Sequence, residues 1–182
     1  MINHIIEEKA EKILVDANCF SLPISVDNCA KYLKLSISPV KLEDSISGFL
    51  AINANNTFIG YNNSHSELRR RFTVAHELGH FVLHAQSIPF FIDKSESNSY
   101  VFNRDERSSS GEFLKEREAN NFAAALLMPK SLIKSAISNS PNQENLDELV
   151  RELSSLFEVS QQAMRIRLSH LGYFDYSNAF NS

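Results

Sequence analysis

The sequence predicts an α+β fold, with a mostly helical core and a small sheet of about three strands. Three observations carry this. Several long segments repeat apolar residues at the helical period. Short strand-like runs cluster between positions 35 and 61, ahead of the strongest helical segment. The 182 residues are 43% hydrophobic and 22% charged, which is ordinary for a chain that fills one core.

Residues 2–18 read as an amphipathic helix with Ile2, Ile5, Ile6, Ile13, Leu14 and Ala17 on one broad side. Pro23 breaks the chain, and Asp27 is placed to cap a short second helix carrying Cys29, Ala30 and Leu33. Leu35–Leu42 alternates like a strand but contains Pro39, which predicts an edge position. Ile46–Ile52 and Thr57–Tyr61 flank an Asn-rich connection and read as a hairpin.

The strongest helix is expected over Ser66–Ala85, opened by a Ser64-x-x-Glu67 capping box. Its apolar stripe is Phe72, Ala75, Gly79, Val82 and Leu83. Residues 93–111 turn polar and rich in Ser and Asn, the pattern of a cover or a mobile loop. Helix resumes over Glu112–Met128 and stops at Pro129. A short helix over 131–138 and two final helices, Leu146–Phe157 and Gln161–Leu171, complete the chain. We divide it into a main domain at 1–140 and a C-terminal helical pair at 141–182.

Several function classes are disfavoured. The net charge of −4 argues against a protein that coats nucleic acid. The longest apolar run, Phe122–Met128, is far below the roughly 20 residues that cross a bilayer. Met1–Ala10 has no signal-peptide pattern. Two cysteines, Cys19 and Cys29, fit a reducing cytoplasm and supply no zinc-ribbon pair.

His76-Glu77-Leu78-Gly79-His80 is a His-Glu-x-x-His motif within the strongest helix. A spacing of four puts the two imidazoles one turn apart on one side, where both can reach one Zn²⁺. Glu77 points about 100° round the helix from His76. That direction suits a general base, since zinc lowers the pKa of a bound water toward about 7. Gly79 costs roughly 1 kcal/mol inside a helix, so a close neighbour is expected there.

The third ligand decides the class of site. The metzincin pattern needs Gly at 83 and His at 86, and this chain has Leu83 and Gln86. A carboxylate from the following helix is the other common solution, and Glu112, Glu116 and Glu118 are available. Helical angles do not choose between Glu116 and Glu118, because the two flank the stripe of Ala119, Phe122, Ala123, Leu126 and Leu127 on opposite sides.

The segment Arg71-Phe72-Thr73-Val74-Ala75-His76-Glu77-Leu78-Gly79-His80, followed by His84, resembles the hallmark of the ImmA/IrrE family of zinc metallopeptidases. So does Glu118-Ala119-Asn120-Asn121-Phe122-Ala123, leading into Leu126-Leu127-Met128-Pro129. Ser47-Gly48-Phe49-Leu50 and, more weakly, the segment from Val159-Ser160 to Leu171-Gly172 extend the likeness over about residues 25–172. The resemblance implies a zincin-like core with Zn²⁺ held by His76, His80 and Glu118, and Glu77 as catalytic base and proton shuttle. His84, one further turn along, has drifted about 80° round the helix from His76, so we expect it to support or pack rather than to ligate. His65 and Tyr100 are candidate oxyanion donors to which we give no role.

The last two helices resemble a helix-turn-helix in which Ser160 caps the second. Arg165, Arg167 and His170 could meet phosphate, but Glu144, Asp147, Glu148 and Glu152 make the first helix acidic. We therefore expect packing on the core rather than direct DNA binding. The expected function is a cytoplasmic zinc endopeptidase, with the strand Ile46–Ile52 pairing with an extended substrate. The family resemblance implies a helix-turn-helix repressor or antitoxin as substrate, cut to derepress a mobile-element or stress operon. The alternative is a non-catalytic, zinc-stabilised regulatory or toxin component that acts by binding its partner.

Overall fold

The computed structural model describes residues 2–53, 56–84, 90–94 and 111–174. The elements run α1 (Ile2–Asp16), α2 (Val26–Tyr32), β1 (Ser36–Val40), β2 (Ile46–Asn53), β3 (Asn56–Asn62), α3 (Glu67–His84), β4 (Phe90–Lys94), α4 (Gly111–Leu127), α5 (Lys130–Asn139), α6 (Leu146–Phe157) and α7 (Gln161–His170). The fold is α+β, as expected.

The three expected strands are joined by a fourth, in the order β1-β3-β2-β4. β2 and β3 form the antiparallel hairpin, with Gly48 opposite Tyr61 and Ile52 opposite Thr57. β1 lies parallel to β3 at one edge, which is where Pro39 can sit without breaking a ladder. β4 pairs antiparallel with β2. β2 is therefore an interior strand with both sides occupied, so it has no free edge for the substrate pairing expected of it. The polar run at 95–110 lies outside the described residues, so the expected cover is not described here.

Two helix starts differ from expectation. Ser25, not Asp27, caps α2, its side chain accepting from the Asn28 N–H. Ser66, not Ser64, opens α3, with its carbonyl accepting from the Arg70 N–H and its hydroxyl from the Arg69 N–H. Ser64 is instead engaged by Asn62, whose side-chain oxygen accepts from both its N–H and its hydroxyl. Asn62 is fully buried, and its amide donates to the Glu43 and Ile46 carbonyls. It thereby ties the loop before β2 to the entry of α3.

β2 lies directly on α3. A Cβ at Gly48 would come within 2.5 Å of the Thr73 methyl and 2.7 Å of the Gly60 carbonyl, so only glycine permits that approach. The apolar core joins Leu14 of α1, Leu50 and Ile59 of the sheet, Leu78 of α3, Phe122 and Leu126 of α4, Leu153 and Phe157 of α6, and Leu168 of α7. The C-terminal pair thus shares one core with the rest. Arg167, which could have met phosphate, is buried. It donates to the Met128 carbonyl at 3.0 Å and forms a two-armed pair with Glu7. Arg165 pairs with Asp147 across α6 and α7. Ser160 caps α7 through the Ala163 N–H, as expected.

Candidate metal centre

The site is built where α3 crosses α4. Gly79 makes the crossing close: a Cβ there would lie 3.0 Å from the Ala119 carbonyl oxygen and 3.1 Å from its Cα. The close neighbour expected from the sequence is therefore the α4 backbone. One residue on, His80 faces α4 with its ring 1% exposed, and His76 lies one turn back at 3%. Their Nε2 atoms are 2.9 Å apart. Glu116 of α4 completes the group, with Oε2 3.3 Å from His76 Nε2 and Oε1 3.4 Å from His80 Nε2. Among the described residues these three form the only group of three or more His, Cys, Asp or Glu side chains able to hold a metal ion.

The geometry fits a small divalent ion. Ligands about 2.1 Å from a tetrahedral ion stand roughly 3.4 Å from one another, close to both imidazole–carboxylate separations. His76 Nδ1 is 2.9 Å from the Asn120 side-chain oxygen. Because that oxygen only accepts, Nδ1 carries the proton and Nε2 keeps its lone pair for an ion. Burial holds the His80 imidazole below its usual range against the pull of Glu116, which favours the neutral, ligating form. Burial pushes the Glu116 carboxyl up, but the hydrogen bonds and charges of His76 and His80 outweigh it and take it down to about 2.

Glu118, the carboxylate implied by the family resemblance, is not brought to the imidazole pair. Its Oε2 lies 3.6 Å from His84 Nε2, one turn beyond His80. The reason is helical phase. Glu116 and Asn120 are four apart and share the α4 face turned to His76 and His80, while Glu118 is rotated toward the end of α3. Asn120 had no assigned role from sequence. The signal was present, since a carboxylate and an amide four residues apart mirror the four-residue spacing of the two histidines.

Glu77 sits on the same turn of α3, adjacent to His76, and its side chain is fully buried. His65 is hydrogen-bonded through Nε2 to the Asp44 carbonyl at 3.2 Å. Tyr100 lies outside the described residues.

Residues 30–169 match the Peptidase M78 family, described as the IrrE N-terminal-like domain. The chain belongs to this family. Membership agrees with the resemblance carried by the two motifs. No curated protein sequence matches the chain significantly. A solved structure named a Mycobacterium tuberculosis transcriptional regulator shares the fold, at 18% identity and a TM-score of 0.60. The match covers 91% of this chain and 46% of that one, so this chain spans about half of that protein's length. Among the described residues, no helix of this M78 family member is long and apolar enough to cross a membrane.

Proposed function

We propose that the chain is a zinc-dependent endopeptidase in which His76, His80 and Glu116 hold the ion and Glu77 moves the proton. The observation that carries this is the meeting of two imidazole nitrogens and one carboxylate within 2.9–3.4 Å, beside a buried glutamate. A donor set of two imidazoles and one carboxylate is typical of catalytic zinc. Bound zinc supplies a Lewis acid that polarises the scissile carbonyl and activates water near neutral pH. Glu77 takes the proton of the attacking water and returns it to the leaving amine nitrogen. Asn120 keeps His76 in its ligating tautomer through the cycle.

The substrate we propose is a helix-turn-helix repressor or antitoxin, in the cytoplasm, whose cleavage derepresses a mobile-element or stress operon. The family resemblance motivates it, and a fold shared with a protein named a transcriptional regulator suits it. The two free, buried cysteines are in keeping with a reducing compartment.

The test is co-expression with a repressor-like protein encoded next to this gene, with gel analysis and reporter output. Glu77→Gln keeps the three ligands, so it retains metal and still captures the partner. Loss of a general base costs about 10²- to 10⁴-fold in rate, so the cleavage product disappears. Full derepression by Glu77→Gln without any cleavage product would replace the peptidase with a regulator that acts by binding.

A further inference from the structure

We propose that His84 is a positioning residue that sets Glu116 at the metal centre by gripping the turn of α4 on which Glu116 sits. The inference rests on the reading of Glu116 as a ligand.

His84 closes α3 and is 8% exposed. Its Nε2 lies 3.3 Å from the backbone carbonyl oxygen of Lys115. A carbonyl only accepts, so His84 Nε2 must carry the proton, and it donates to the residue immediately before Glu116. The same nitrogen is 3.6 Å from Glu118 Oε2, which favours that donor tautomer and leaves it no lone pair for an ion.

Glu116 therefore stands between two ties linking α3 to α4. One is the Asn120–His76 hydrogen bond of 2.9 Å, one turn further along α4. The other is the His84–Lys115 bond. Between them the backbones touch at Gly79 and Ala119, which fixes the separation of the helices but leaves rotation of α4 about its own axis open. A rotation of one residue, about 100°, would swing Glu116 off the imidazoles. Two ties at different heights oppose that rotation, and His84 supplies the one nearer the start of α4. Metal sites lose affinity when their donors are free to drift by more than about 0.5 Å, which gives such a grip a measurable consequence.

The experiment compares His84→Gln with His84→Asn in the full chain, reading zinc affinity by competition with a chromophoric chelator and the thermal midpoint of the metal-free protein. Gln places an amide donor near the position of Nε2, whereas Asn has the same chemistry on a stem too short to reach Lys115. The expected result is a loss of about 10- to 100-fold in zinc affinity for Asn, the usual cost of removing a group that orients a ligand, with most of it restored in Gln. The metal-free midpoints of the two variants should be alike.

Equal losses in Gln and Asn, or no loss in either, would overturn the proposal. If Asn fails to fold, a folded Gln variant with tenfold weaker binding overturns it alone, and one near wild type supports it. A second zinc equivalent in the wild type that vanishes in both variants would make His84 a ligand and also overturn it. Glu116→Gln is run alongside. If it retains full zinc affinity, the ligand assignment itself has failed. If it loses zinc while both His84 variants bind normally, only the present inference has failed.

Discussion

The carboxylate nearest the two histidines is Glu116, and its choice over Glu118 is a matter of angle. By periodicity the two flank the apolar stripe of their helix on opposite sides, and a flank alone does not say which carboxylate meets α3. The missing quantity was how α4 is turned about its own axis against α3. That turn is set by tertiary contacts, the Gly79–Ala119 approach and the Asn120–His76 bond, which no local pattern contains. His76, His80 and the buried Glu77 were legible because a single helix fixes their mutual geometry. Asn120 offers a direct test of the tautomer argument. Asn120→Ala should weaken zinc binding by about 10- to 100-fold while leaving one ion per chain at saturation, as followed by chelator competition. Unchanged affinity would remove Asn120 from the account.

The helix pair α3 and α4 depends on close backbone contact as much as on the ligands. Gly79→Ala adds a methyl where backbone atoms already stand at 3.0–3.1 Å. The gain in helix propensity, roughly 1 kcal/mol, opposes an overpacking cost of about 1–3 kcal/mol. The two partly cancel in stability, but the helices must still move apart. We therefore expect zinc to raise the thermal midpoint less in Gly79→Ala than in wild type, by calorimetry with and without the ion. An equal shift would mean that the crossing has room to spare. The strands were legible from alternation and from Pro39, and the Asn-rich turn announced the hairpin. β4 was not, because its five residues border a polar run and its pairing with β2 is long-range. The start of α3 at Glu67 is one residue from the expected Ser66, but the cap was placed two residues early, since Ser64 satisfies a capping pattern in sequence yet is engaged by Asn62.

Across the described fold, two arginines tie early and late elements to α3 and α4. Arg167 of α7 joins Glu7 of α1 to the Met128 carbonyl at the end of α4. Arg71 of α3 reaches the Ile24 carbonyl and pairs with Glu158, the left-handed residue between α6 and α7. Sequence alone left Arg167 as a cation that could meet phosphate, because burial by a partner 160 residues away leaves no local trace. Removing one partner of a buried pair costs about 3–5 kcal/mol, and the partly exposed Glu7 argues for the lower end. Arg167→Ala should then lower the thermal midpoint by about 6 °C or more, and a drop of under a degree would show the pair to be a surface contact. The proposed centre shares one ion between α3 and α4 through His76, His80 and Glu116. The most direct measurement is zinc content per chain, by elemental analysis after removal of loosely bound metal. Wild type and Glu118→Gln should each hold one zinc and Glu116→Gln far less than one, whereas a metal-free Glu118→Gln beside a fully loaded Glu116→Gln would contradict the account.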